Sequence, residues 1–477
     1  MIATTHKGEK TVSTHEARHG APWARWLVPT LLVSVLLRAV IVATSAVQTT
    51  PDSPGYAALT DNLLRRHLAD DPGERTPIYP LFLALFGLHL PLIRLAQMAL
   101  GIGITAALFW LAWRVTRNAR IAALVAACYG LGITAVLHED AILTETLATA
   151  LLVALAFLIY QVERASAQYG SVTGDSPVAA GFPACRRISQ AKAYATRTCA
   201  LGTVAGLIGL TRPLYAFLPV VLILPFVLMR RFGGTWRAIA SGICLTLLPA
   251  YLLLGGWSEY NAARFGTFAP TVLTGYNLSN HSGGFIEDAP ERDALLRDIY
   301  LKYRAETIAE TGSHVTTIWA ARPEMLARTG LTNAQLSQAL ASLSLRLFVH
   351  QPVRYAESVA GSWLRFWNSP GDWRWQGADN TVVGSIVGAL WMAQRCGLIV
   401  VNALFLLLMT GAVCSRRLRA WWQPSPLLVT LCAVVWATSV VQALLESGSN
   451  TRFGVPTQPL VVFVVIVSAA LRTRPAP

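Results

Sequence analysis

Stretches of about 20 apolar residues, set apart by short arginine-rich runs, recur along this chain and leave it few ways to fold. Inside a hydrocarbon layer the backbone must satisfy its own hydrogen bonds, so such stretches become helices. The composition agrees: 54% of residues are hydrophobic and 13% charged, against about 25% charged in globular chains. A formal net charge of +14 would suggest nucleic-acid binding if the arginines formed a patch. They lie instead between the apolar runs, the distribution that sets membrane orientation, so nucleic acid is not an expected partner.

Ten spans are expected, near 26–47, 92–113, 121–137, 141–160, 198–210, 214–229, 238–257, 396–414, 427–444 and 454–471. Residues 78–90 are apolar but short, and read as a re-entrant or interfacial helix. With the N-terminus in the cytoplasm, the basic clusters at 114–120, 161–197, 230–231, 416–419 and 472–474 all fall on the cytoplasmic side. The segments 52–77, 138–140, 258–383 and 446–452, with Arg212, fall on the other. The expected architecture is an all-α polytopic membrane protein of the plasma (inner) membrane, with both termini cytoplasmic. It divides into a transmembrane module, 1–257, with a first outer loop at 48–77; an extracytoplasmic helical region, 258–383, resting as a small lid on the membrane; and C-terminal spans, 384–477. Residues 1–25 are polar and precede an apolar run too long for the core of a cleavable signal. The seven cysteines show no metal-ligand spacing and no CxxC pair.

The first outer loop is the most informative segment. Ser53 followed by Pro54 reads as a helix start, the hydroxyl capping free N–H groups. Tyr56, Leu59, Leu63 and Leu64 then recur at helical spacing opposite Arg65 and Arg66, as in a helix lying in the membrane interface. His138, Glu139 and Asp140 read as a tight polar turn between spans, and the Gly/Ser/Pro-containing middle of the basic segment 161–197, YGSVTGDSPVAAGFP, as a flexible linker. In the outer region, Thr332 to Gln335 has the form of a capping box opening a helix to about Phe348, and Pro352 starts another through Phe366. Trp363, Trp367, Trp373 and Trp375 suit an aromatic interfacial belt.

Asp52, Glu74 with Arg75, Glu139 with Asp140, and Arg452 converge on one face of the membrane. Arg38 lies within the first span, where a charge is costly and faces either a cavity or a packing partner. Transporters place such groups near mid-membrane. Here they gather at the ends of the spans, which suits an enzyme working on a lipid-linked substrate; a polytopic transporter or lipid-linked-sugar flippase, or a non-catalytic assembly partner, is the alternative. Asp52 suits either a proton acceptor or a helix N-terminal acid, and the arginines suit either a phosphate or headgroup contacts.

Six segments occur in a telling order: Asp52-Ser53-Pro54-Gly55-Tyr56; Arg75-Thr76-Pro77-Ile78-Tyr79-Pro80-Leu81-Phe82; Glu139-Asp140 leading to Leu143-Thr144-Glu145-Thr146-Leu147; Leu210-Thr211-Arg212-Pro213; Arg264-Phe265-Gly266 with Gly275-Tyr276-Asn277-Leu278; and Arg452-Phe453-Gly454-Val455-Pro456. In these the chain resembles the membrane glycosyltransferases of the GT-C superfamily, especially bacterial relatives of the dolichyl-phosphate-mannose protein mannosyltransferases. It departs from them in the Asp-Ser of the first loop, where many relatives carry Asp-Glu, and in Phe453 and Gly454. The resemblance implies a GT-C-like fold and an inverting transfer of a sugar, from a polyprenyl-phosphate donor to an envelope lipid, polysaccharide or protein, on the extracytoplasmic face. Asp52 would be the catalytic base. Arg38, Tyr56, Glu74, Arg75, Glu139, Asp140, Arg212 and Arg452 would contact substrate, with or without a divalent metal ion, and Asn280 and His281 would lie over the site.

Overall fold

The computed structural model describes residues 23–173, 184–230, 235–368, 382–422, 424–448 and 450–472; the expected tryptophan turn beyond Asn368 lies outside them. Among the described residues the chain is helical throughout and carries no strand, only an isolated bridge between Gln48 and Ala141. Seven helices are long and apolar enough to cross a membrane, or eight if one pair bent by 47° counts as a single span.

The membrane part begins with α1 (Ala24–Thr44), then α2 (Ser53–Leu64) and the short α3 (Ile78–Ala84) in the first loop. α4 (Leu90–Thr116) follows, capped at its start by His89. Asn118 caps α5 (Ala119–Gly130), which breaks at Leu131-Gly132 into α6 (Ile133–Asp140). α8 (Ala184–Thr211) packs against both α7 (Glu145–Thr173) and α9 (Trp236–Phe265), closely enough that a Cβ at Gly202 would collide with the α9 backbone at Thr246. The expected fifth span is the C-terminal half of α8. The expected sixth is a broken apolar set, Pro213–Leu228, interrupted by prolines that remove helix N–H donors.

Of the expected linker, Tyr169–Thr173 belong to α7 and the rest lies outside the described residues; on either side of it the basic segment is helical, α7 running to Thr173 and α8 starting at Ala184. Glu, Arg, Ala and Gln are good helix formers and carry the helices past the apolar layer. His138, Glu139 and Asp140 are not a turn either. They form the last turn of α6, and the chain reverses only at 141–144.

The region expected to be outer packs α10 (Thr274–Ser282), α11 (Ala294–Thr311), α12 (Thr317–Thr329), α13 (Asn333–His350) and α14 (Pro352–Trp367) around its own core of Tyr276, Ile299, Tyr300, Met325, Leu336 and Leu340. The capping box at Thr332 and Gln335 is present. α15 (Val382–Cys414), α16 (Pro426–Leu445) and α17 (Gln458–Arg472) complete the bundle. Trp363 and Trp367 do not form an outward belt. Trp363 donates from Nε1 to Ser439 Oγ at 3.1 Å, and Trp367 stacks on Phe405 at 5.6 Å, so both hold α14 to the spans.

Candidate active site

The first loop is stapled to the loop after α6. Gln48 N–H donates to the Asp140 carbonyl at 3.2 Å, and Ile142 N–H donates to the Gln48 carbonyl at 3.1 Å. Ser53 does not cap α2. Its hydroxyl accepts from Thr50 N–H at 2.9 Å and donates to the Ile142 carbonyl at 3.0 Å. Asp52 occupies the N-cap position without a side-chain cap bond, which leaves its carboxylate to turn elsewhere. These contacts bring the head of α2 beside the head of α7.

There the charged side chains form a row. Arg75 donates from Nη2 to Asp52 Oδ1 at 2.9 Å, and Arg452 donates from Nη1 to Asp52 Oδ2 at 2.8 Å. Arg452 also donates from Nε to Glu145 Oε1 at 2.5 Å, and Arg212 Nη1 lies 3.0 Å from the same oxygen. Arg75 lies over the Tyr56 ring at 4.6 Å and Arg212 over the Phe453 ring at 5.0 Å. Three guanidinium groups thus face two carboxylates and leave one positive charge over. Burial pushes the Asp52 carboxyl up, but Arg452 and Arg75 outweigh it and hold the group below the usual aspartate range.

The row also has unused polar capacity. Arg75 Nε, Arg212 Nη1 and Glu145 Oε2 are buried and make no hydrogen bond. Both Asp52 oxygens already face guanidinium groups, a donor set that suits an added anion rather than a cation. Among the described residues no three His, Cys, Asp or Glu side chains are grouped so as to hold a metal ion. Beside Arg452, Thr451, Gly454 and Gln458 help line a mostly apolar cavity of about 290 Å³ that runs between α5, α15 and α17, past Tyr129 and Val401.

Of the residues expected at the site, Asp52, Tyr56, Arg75, Arg212 and Arg452 come together. Arg38, Glu139 and Asp140 are placed in two closed ion pairs. Arg38 donates from Nε and Nη2 to both oxygens of Glu139, at 2.7 and 2.6 Å, and from Nη1 to the Gly130 carbonyl at 2.9 Å. Tyr129 adds a hydrogen bond to Glu139 at 3.1 Å, and α4 makes room for the carboxylate at Gly101, where a Cβ would collide with it. Asp140 pairs with Arg94, whose other donors go to the carbonyls of Ile41, Val42 and Ser45. All four side chains are at most 7% exposed.

Glu74 separates from its neighbour Arg75. It pairs with Arg322, which lies over the Tyr276 ring at 5.2 Å, so it ties the first loop to the outer region. Asn280 reaches the loop before Arg452, donating to Glu446 Oε1 at 2.7 Å.

Glu145 is the central residue that sequence reasoning left out. It is fully buried and heads α7, where the positive end of the helix favours a carboxylate. An acid as the first residue of a long apolar helix was the available signal.

No family model matches this chain, and no curated protein matches it. The chain is similar to ArnT from Cupriavidus metallidurans, in a crystal structure bound to undecaprenyl phosphate. The likeness covers 92% of this chain and 78% of that one, at 16% identity and a TM-score of 0.36. Identity and score at that level assign no role to any residue of the site.

Proposed function

We propose that this chain is an integral-membrane glycosyltransferase that moves a sugar from a polyprenyl-phosphate donor to an envelope acceptor. The observation that carries the reading is the row of Arg75, Asp52, Arg452, Glu145 and Arg212. It has one positive charge in excess, buried donors that make no hydrogen bond, and an apolar cavity alongside. A lipid phosphate matches that combination: an anion for the guanidinium groups and a hydrocarbon chain for the cavity. The ordered motifs in the sequence point the same way. A transporter reading is less well supported, since the charges within the membrane are closed into the Arg38–Glu139 and Arg94–Asp140 pairs.

The chemistry follows from the pairing. With no donor bound, Asp52 is held by two arginines and is a poor base. A phosphate entering the row competes for those guanidinium groups and releases the carboxylate. The acceptor hydroxyl oxygen then bonds to the anomeric carbon as the bond from that carbon to the phosphate oxygen breaks. The electron pair leaves with the phosphate, whose charge the arginines hold, and the hydroxyl proton passes to Asp52. A single displacement of this kind inverts the anomeric centre.

The test is a purified preparation given undecaprenyl-phosphate sugars of several kinds, scored for release of undecaprenyl phosphate. Release that depends on Arg452 and on an added membrane extract is expected. Binding without release from any donor, together with movement of the donor across a sealed bilayer, overturns the reading in favour of a flippase.

A further inference from the structure

α14 divides two surfaces of opposite character. On one face Arg354, Glu357, Ser358 and Arg365 recur at helical spacing and line a cavity of about 760 Å³, with His281 and His314 opposite them. On the other face Val353, Ala356, Ala360 and Leu364 form an apolar stripe, continued at Val349 before the helix. Val349, Val353 and Leu364 are 78%, 68% and 65% exposed, far too open for a packed helix face. The helix is fixed beside the end of a membrane span, since Tyr355 Oη donates to the Leu444 carbonyl at 3.0 Å and Trp363 bonds Ser439. Val440 and Leu444 of that span are themselves exposed, so the stripe continues the surface the bundle presents to lipid. An amphipathic helix so placed lies in the interface, apolar face in the acyl layer. The cavity on its polar face then opens at headgroup depth.

The cavity also borders the stretch of chain that precedes Arg452. Ser447 and Gly448 line it. Arg365 donates from Nη2 to the Ser447 carbonyl and hydroxyl, both at 3.1 Å, and Glu446 accepts from Gly448 N–H at 2.6 Å. Four residues further on stands Arg452, which holds Asp52. The cavity wall thus belongs to the stretch of chain that leads to Arg452, and the Asp52 charge acts on Glu446 beside that wall.

We infer that this cavity is the acceptor site, and that it takes the carbohydrate headgroup of a membrane-anchored amphiphile, a glycolipid. The inference rests on the glycosyltransferase reading. Its lining offers what a polyol needs: guanidinium donors at Arg354 and Arg365, a carboxylate acceptor at Glu357 and a hydroxyl at Ser358. His281 adds a neutral imidazole. Burial, with Arg365 and His314 nearby, outweighs the Ala443 carbonyl and pushes it down to about 4, and its Nδ1 bonds Ser358 Oγ at 2.7 Å. Headgroup depth selects an acceptor anchored in the same leaflet over one arriving from the aqueous phase.

The experiment places the photoreactive residue p-benzoylphenylalanine in the full chain at Glu357 (cavity), at Ala360 (stripe) or at Glu306 (exposed on α11, a control). Membranes are irradiated, the protein is purified and digested, and the adducts are identified by intact mass, sugar composition and fatty-acid content. Sugar and acyl chains on the same Glu357 adduct, phospholipid at Ala360 and neither at Glu306 are expected. A peptide at Glu357, a glycan without acyl chains, a sugar-free lipid, or no adduct there overturns the inference. The readout does not require turnover. A glycolipid adduct from a preparation that releases no undecaprenyl phosphate would refute the proposed reaction and leave the headgroup site standing.

Discussion

Replacing Asp52 by Asn separates the base from the strut. The carboxylate accepts two charge-assisted hydrogen bonds, at 2.9 and 2.8 Å, and is about a third exposed. Such bonds contribute about 1.5–3 kcal/mol each when well shielded, and exposure reduces that. The Asn amide oxygen keeps one of them, while its NH2 group faces the other guanidinium, and Arg452 retains Glu145. A stability loss of about 1–3 kcal/mol is therefore expected, a measurable one, because the carboxylate is a tie and not a helix cap. Transfer should fall much further, by about 10²–10⁴-fold, the usual worth of a general base. The pH dependence gives a second check. Arg452 and Arg75 hold the folded Asp52 below its ordinary value of 3.8, so its stabilisation is present above that value and lost as the pH falls through the folded one. The variant should lack this acid-side loss. The assay is single-turnover transfer from a polyprenyl-phosphate sugar by purified wild type and variant, with thermal unfolding and undecaprenyl-phosphate binding measured on the same samples. A folded variant that transfers at the wild-type rate refutes the role of Asp52. One that no longer binds undecaprenyl phosphate refutes the claim that the arginines alone hold the anion.

Arg212→Ala should weaken undecaprenyl-phosphate binding by about tenfold to a hundredfold, since a charged hydrogen bond is worth about 1.5–3 kcal/mol; unchanged binding removes Arg212 from the phosphate site. Arg38→Met should destabilise the chain by about 3–5 kcal/mol by stranding the buried Glu139 carboxylate, and Arg38→Met with Glu139→Leu should recover much of that loss. Equal stability of the single and double variants, read by thermal unfolding, refutes the closed-pair description. Glu446 is pushed up to about 7, chiefly by burial, with Asp52 adding to it against hydrogen bonds from Gly448 and Asn280. Its contribution to stability is therefore full below the usual glutamate value and lost as the pH rises through 7, so Glu446→Gln should gain on wild type above pH 7 and not below pH 5. Parallel melting curves across that range refute this. Ser313→Cys should react with an impermeant thiol reagent in intact cells and Ser171→Cys should not; the reverse pattern inverts the orientation.

Much of the helical plan could be read from the chain because it rests on local rules. Apolar run length locates α1, α4, α7, α9, α16 and α17, the box at Thr332 and Gln335 starts α13, and Pro352 starts α14. What failed depended on how side chains find partners across the fold. Ser53 has the chemistry of a cap, yet a parallel segment offers the Ile142 carbonyl and takes its hydroxyl. Glu139 and Asp140 look like loop acids until α6 is seen to continue through them, which turns one carboxylate to Arg38 and the other to Arg94. Trp363 and Trp367 have interfacial character by type, but α16 and α15 lie close enough to cover them.

Adjacent residues with one chemistry therefore divide by their surroundings, and that division is what separates scaffold from site. Glu74 and Arg75 are neighbours, yet the first braces the outer region through Arg322 while the second holds Asp52. The pairs of Arg38 and Arg94 are dry, with their donors used on carboxylates and carbonyls of α1, α5 and α6, and they have nothing left to offer a substrate. Arg75, Arg452 and Arg212 share two carboxylates among three cations, leave donors unmet, and stand where the helices end beside an apolar cavity. An ion pair whose hydrogen-bonding capacity is exhausted stabilises one arrangement of the bundle. One that is under-filled and carries excess charge can change partners when an anion arrives. By that criterion Glu145 belongs with Asp52, although in sequence it stands closer to Glu139, and its replacement by Gln should loosen Arg452 and Arg212 together.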